Sequence, residues 1–219
     1  MSTEASRADH VHEAPASGID TSLQAAPDTG WTAAGDGTAS ITAGVVTLAM
    51  AAAQPYARLH RDIPASPLSP SLELTARITR TASPGGDFHW CGVALSSAAW
   101  DRGYTLLCQS DGNATVGYNT GGGWTTASAT AFPGAATLTS GTLWSRVVIA
   151  PSYVAWYLGA GASRPTSWTL MATRAMDTAL LSAGSIVTLA ALCGRATGSG
   201  TATFTVSDIQ WRSLLGAPT

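Results

Sequence analysis

The sharpest chemical spacing in this 219-residue chain is at its start, in Ser6-Arg7-Ala8-Asp9-His10-Val11-His12, which holds two of the four histidines. On a helix, positions i and i+2 diverge by about 200°, but on an extended strand they share a face. Three extended copies around a common axis would turn their His10 and His12 imidazoles toward one ion. That arrangement is an octahedral nitrogen site suited to iron, nickel or a similar transition metal. Asp9 would orient a ligand imidazole by accepting its other N–H. The plain alternative is a pair of solvated histidines in an unpatterned segment, and spacing alone leaves both open.

Other chemistry is sparser. Cys91, Cys108 and Cys193 lack zinc-site spacings, and an odd count argues against a full disulfide framework. Each lies in an apolar run, which predicts small buried hydrophobes. Asp87, Asp101 and Asp111 with Asn113 could supply oxygen ligands to calcium, although no dense Asp-x-Asp-x-Asp loop exists. No Gly-x-Ser-x-Gly elbow, phosphate loop or Cys–His pairing appears. From Trp31 onward the chain has a single Glu, Glu73, where a glycosidase would need two carboxylates. The residues therefore predict a protein that is not an enzyme.

The elements that must position these groups read as strands. Hydrophobic residues make up 45% of the chain and charged residues 11%, so the polar surface comes mainly from Ser, Thr, Gly and Asn. That balance suits short strands joined by Gly-rich turns. In Ser71–Arg80, Leu72, Leu74, Ala76 and Ile78 face one way, and Glu73, Thr75, Arg77 and Thr79 the other. Similar runs lie at Ser40–Thr42, Val45–Met50, Ala57–Asp62, Phe88–Ser96, Tyr104–Ser110, Ala114–Asn119, Trp144–Ala150, Tyr153–Leu158, Ile186–Leu192 and Thr203–Trp211. Ser110-Asp111-Gly112-Asn113 predicts a hairpin turn. Only Ala175–Leu181 has helical promise. Many strands without crossover helices predict an all-β, antiparallel two-sheet sandwich over 31–212. A linker-like N-terminal arm (1–30) would precede it and a short tail (213–219) would follow.

Charge narrows the partners. All 11 basic residues are scattered Arg and the net charge is −2, which predicts no nucleic-acid partner and no anionic membrane surface. Val45–Ala53, the longest apolar stretch, is too short to span a bilayer, so no membrane insertion is expected. Met1–Ala5 lacks the pattern of a signal peptide, which predicts a soluble chain made in a reducing cytoplasm.

Two resemblances sharpen this reading. The order of strands, from Gly30-Trp31 through the aromatic-rich Phe88–Tyr118 hairpins to a last strand at Phe204–Trp211, resembles the concanavalin A-like (laminin-G-like) jelly roll, in which first and last strands pair. The Arg7-Ala8-Asp9-His10-Val11-His12 string resembles the Asp-His-x-His motif of bacteriophage tail-fibre and receptor-binding proteins. The second resemblance implies a homotrimer in the virion, assembled in the bacterial host cytoplasm, with a metal ion on its axis. The arm would then attach it to other virion proteins, of tail or capsid. Long fibres carry this motif after an extensive shaft, whereas here it begins at Asp9. That departure points to a short fibre or spike, a subunit on a larger particle, or a truncated chain. Related laminarinase-type enzymes carry a Glu-x-Asp-x-x-Glu strand that is absent here.

A head of this fold would bind host-surface polysaccharide through exposed aromatics and nearby polar groups, because sugar rings have apolar faces and polar rims. Trp100, Asp101, Arg102 and Tyr104 are the first candidates, with Trp124 after the Gly121-Gly122-Gly123 turn. His89 and Trp90, which follow the Pro84–Asp87 turn, would line the same edge. Trp31, Trp144, Trp156 and Trp211 fall within strand runs and are expected in the core. The competing readings are an architectural virion subunit that binds no glycan and, third, a glycan-degrading enzyme.

Overall fold

Alternation of apolar and polar residues, repeated along the chain, produces strands with one face to bury. A computed structural model describes residues 24–25, 29–51, 56–64, 72–82, 88–109, 113–131, 141–150, 152–180, 186–197 and 200–213. His10 and His12, the whole expected metal arm, lie outside the described residues, as do Asp87 and Asp111 of the expected calcium set. The described strands are β1 (Gln24–Ala25), β2 (Thr32–Gly35), β3 (Thr38–Thr42), β4 (Val45–Met50) and β5 (Tyr56–Pro64). Next come β6 (Leu72–Ala82), β7 (Phe88–Ser97), β8 (Arg102–Gln109), β9 (Asn113–Thr120) and β10 (Thr125–Ala131). The series ends with β11 (Gly141–Ile149), β12 (Tyr153–Ala160), β13 (Thr169–Ala175), β14 (Ile186–Thr197) and β15 (Ala202–Ser213).

All pairings are antiparallel and form two sheets. One runs β13-β12-β11-β6-β15-β4-β3, with β1 added on β15; the other runs β10-β9-β8-β7-β14-β5-β2. The first and last strands do pair, Gln24 opposite Trp211 and Ala25 opposite Gln210. The sheet thus reaches further back than the expected start at Trp31. No helix occurs among the described residues: the stretch expected as helical instead ends β13 at Ala175 and continues as a turn over 178–180.

The core lies between the sheets. β4 sends in Val46, Leu48 and Met50, β6 Leu74, Ala76 and Ile78, and β12 Val154, Trp156 and Leu158. From the other sheet come Cys91, Val93 and Leu95 of β7 and Tyr104, Leu106 and Cys108 of β8. Each such large side chain, fully buried, contributes roughly 1.5–3 kcal/mol. Tyr104 and Trp156 meet edge to face across the core, ring centroids 5.7 Å apart. Cys193, Cys91 and Cys108 stand side by side on β14, β7 and β8, all buried, as the apolar runs predict.

Over β6, β11 and β12, the outer face of the eight-stranded sheet is covered by the chain's own segment between β12 and β13. Trp144 donates its indole N–H to the Gly161 carbonyl (3.1 Å), and Arg77 donates to the Ala162 carbonyl (3.0 Å). Glu73, fully buried, accepts from Arg146 (2.8 Å) and Arg164 (3.2 Å). The Arg146 guanidinium in turn lies near the rings of Tyr157 and Trp168. Pro165 and Trp168 fill the space over Gly159. Trp144, expected in the core, is therefore buried beneath this strap and not between the sheets. Trp31 and Trp211 are partly buried against the core.

Candidate functional site

The outer face of the seven-stranded sheet is dressed differently. The residues that alternate with its core positions form rows across the strands. One row is Tyr56 of β5, Gly194 of β14 and Trp90 of β7. The next is Arg58, Leu192, Gly92, Leu107 of β8 and Thr115 of β9. A third is His60, Ala190, Ala94, Thr105, Gly117 and Thr126 of β10. Small residues in the middle of these rows leave a groove of about 570 Å³, with threonines on its floor and rings around it. A Cβ on Gly194 would lie 2.0 Å from the Trp90 indole, so only glycine lets that ring approach β14 so closely.

Two further indoles reach the groove from loops at one end of the sheet. Trp100 sits between β7 and β8 with φ of +61°, a left-handed conformation that bulky side chains rarely adopt. Strain of about 1–3 kcal/mol at such a position persists only where surrounding bonds hold it. Here Trp100 N–H donates to the Ser97 carbonyl (3.0 Å), and the Ser97 hydroxyl donates to Asp101 (2.6 Å). Trp124, 44% exposed, follows the loop between β9 and β10. Both loops are tied to one buried side chain. Asn119 donates its amide N–H to the Trp100 carbonyl (3.4 Å), and its amide oxygen accepts from Gly121 N–H (2.9 Å) and Gly123 N–H (3.1 Å). Asn119 is thus a positioning residue for both rings.

Beneath Trp100 lies Arg58, its guanidinium carbon 3.9 Å from the ring centroid. Burial pulls the Arg58 pKa down from its ordinary value. His60 meets Trp100 edge to face at 6.2 Å, and its pKa is lowered mainly by burial and then by Arg58, with Asp62 opposing. The lining of the groove contains no Asp or Glu among the described residues.

The sequence candidates divide as follows. Trp100 and Trp124 line the groove together. Asp101 is exposed and held by Ser97 outside it. Arg102 pairs with Asp177 (2.6 Å) and lies against Gly121, bracing the loop instead of lining the groove. Tyr104 corrects the expectation: it points into the core, 1% exposed, and its hydroxyl accepts from Asp177 N–H (2.6 Å). His89 is a second correction, since it is wholly buried on the core side, beside Phe204 and Arg195. Its neighbour Trp90 is the residue that faces the groove. Arg58, Tyr56 and Asn119 were not singled out from the sequence.

No family model matches the chain, and no curated protein matches it in sequence. Solved structures do. The carbohydrate-binding module CBM66 from Bacillus subtilis superposes with TM-score 0.56 at 14% identity, covering 84% of this chain and 96% of that one. The CBM2 module of an evolved Dit protein of Lactobacillus casei BL23 phage J-1 gives TM-score 0.58 at 10% identity, over 87% and 93%. The exoplasmic/lumenal domain of VIP36, in its Ca2+/Man3GlcNAc-bound form, gives 0.56 at 10%, over 87% and 86%. The fold is the concanavalin A-like jelly roll. At these identities the likeness is one of fold, and sites must be argued from this chain's own residues.

Proposed function

We propose that this chain is a non-catalytic glycan-binding protein whose ligand lies in the groove ringed by Trp90, Trp100 and Trp124. The carrying observation is the groove itself, in which indoles from three separate elements surround a floor of threonines and glycine. Indole faces match the C–H faces of sugar rings, and the hydroxyls match their rims. A carbohydrate-binding module and a Man3GlcNAc-bound domain share the fold, which supports the reading. Among the described residues no Asp or Glu lines the groove, whereas a glycosidase needs two carboxylates. Glu73 lies on the other sheet, buried and occupied by Arg146 and Arg164.

The wider setting we propose is a bacteriophage virion, with the sandwich displayed on a short homotrimeric fibre or spike. The Asp9-His10-Val11-His12 string motivates it, and one structural neighbour is a phage module. Three weak sites on one trimer would act together on a polysaccharide surface. His10 and His12 would gather the transition metal on the axis, and the arm would contact other virion proteins.

Titration of oligosaccharides from a glycan array tests the binding. Removing an indole that covers a sugar face forfeits roughly 1–2 kcal/mol of apolar contact, so Trp124→Ala should weaken binding about tenfold. No binding by the native protein, or none affected by Trp124→Ala and Trp100→Ala, would favour a purely architectural subunit. Mass measurement with elemental analysis tests the arm: a metal-free monomer unchanged by His10→Ala and His12→Ala sinks the trimer site.

A further inference from the structure

We propose that the groove selects an anionic saccharide, a sugar bearing a carboxylate or phosphate, and that Arg58 reads the charge. This rests on the groove being a glycan site and adds the charge class of its ligand.

The argument begins with the charges. Arg58 is the one arginine in the groove lining, and no carboxylate accompanies it among the described residues. Four other arginines have ion-pair partners, Arg77 with Asp208, Arg102 with Asp177, and Arg146 and Arg164 with Glu73, while Arg174, like Arg58, stacks on a ring, that of Tyr118. The acidic groups near the groove are already engaged. Asp62 accepts from the Thr188 hydroxyl (2.8 Å), and Asp101 from Ser97 (2.6 Å). Arg58 has no ion pair or hydrogen bond among the described residues, and its Nε is buried without a partner.

Geometry then fixes how the cation is offered. The Trp100 ring, 3.9 Å from the guanidinium carbon, holds the cation in place over its face. A planar fork held in this way suits the two oxygens of a carboxylate or phosphate. A half-buried, unpaired cation is poorly solvated, and an anion arriving with the ligand would compensate it. A neutral sugar brings hydroxyl oxygens that can accept from the guanidinium but carry no charge to compensate it.

The test compares acidic glycans with neutral counterparts that differ only in charge: uronate oligomers against their methyl esters, and phosphorylated oligosaccharides against dephosphorylated ones. The full-length native protein should bind the acidic member of at least one pair about 10- to 100-fold more tightly, the worth of hydrogen bonds to a charged group. That preference should shrink as salt rises. Arg58→Gln, whose planar amide can still lie against Trp100, should abolish the preference, and a native thermal melt would show that the variant folds. The carboxylate and phosphate arms show which source of charge the groove takes. Equal affinity for charged and neutral members, or a preference that survives Arg58→Gln, overturns the proposal. Absence of all binding, or binding untouched by Trp124→Ala, instead counts against the groove as a glycan site.

Discussion

Truncating Asn119 to Ala tests whether one buried amide sets the geometry of the groove. The side chain is 4% exposed and makes three hydrogen bonds, two to the loop of Trp124 and one to the loop of Trp100. A typical intramolecular hydrogen bond contributes about 1 kcal/mol net, which sets an upper figure of about 3. Two considerations reduce it. Gly121 and Gly123 are exposed, so water replaces the lost acceptor, and the 3.4 Å contact to Trp100 is long. The expected loss is therefore about 1–2 kcal/mol, or roughly 2–8 °C in Tm for a domain of this size. Affinity should fall at least as far as in Trp124→Ala, because both indoles lose their anchor. Urea unfolding followed by tryptophan fluorescence measures the first effect and glycan titration the second. Asn119→Asp separates the two loops, since it keeps an acceptor for both glycine N–H groups but loses the donor to Trp100. A native midpoint together with native affinity in Asn119→Ala would refute the reasoning; a lowered midpoint with native affinity would refute its link to the groove.

Glu73→Gln should destabilise the fold by about 3–5 kcal/mol, because it leaves Arg146 buried without its counter-ion; a shift in the urea midpoint reads this directly. Burial pushes the Cys108 and Cys193 thiols up to about 12, so a thiol reagent at pH 8 should label neither until the protein is unfolded. Rapid labelling of the native protein would contradict their burial. His60 is held below its ordinary value of 6.5, so between its folded value and 6.5 the unfolded chain binds the proton more readily. Stability should accordingly fall as pH drops below 6.5, and His60→Gln should flatten that part of a plot of Tm against pH.

The strands that bury a face were legible in the sequence, while the edge strands β10 and β13 were not. Leu72–Ile78 alternates because one side meets the core, and β6 follows it closely. β10, with the sequence Thr-Thr-Ala-Ser-Ala-Thr-Ala, and the mostly exposed β13 are edge strands with little to bury, so no alternation marks them. The groove was half legible for a similar reason. Trp100 and Trp124 stand beside turn residues in the chain, whereas Tyr56, Arg58 and Trp90 meet only through the β5-β14-β7 register. Parity could have separated His89 from Trp90. Cys91, Val93 and Leu95 point inward, which sends His89 inward and Trp90 outward. Tyr104 shares the parity of Leu106 and Cys108 and belongs to the core by the same rule. Asn119 gave no local signal, because its role is to join two loops.

The contrast between the two outer faces is itself an argument for which one works. Both carry aromatic rings and arginine, the chemistry that binds sugars or proteins when left open. On the eight-stranded sheet the chain lays its own segment over that chemistry: Glu73 satisfies Arg146 and Arg164, Trp144 spends its N–H on Gly161, and Pro165 and Trp168 close over Gly159. On the seven-stranded sheet the loops carry their indoles to the rim, with a left-handed Trp100 held by Ser97 and Asn119, and none of the described segments crosses the groove between them. Backbone strain and an uncompensated cation both cost stability, so a face meant only to be inert gains nothing from keeping them. A ligand that covers the indoles and pairs with Arg58 would do for this face what the segment before β13 already does for the other.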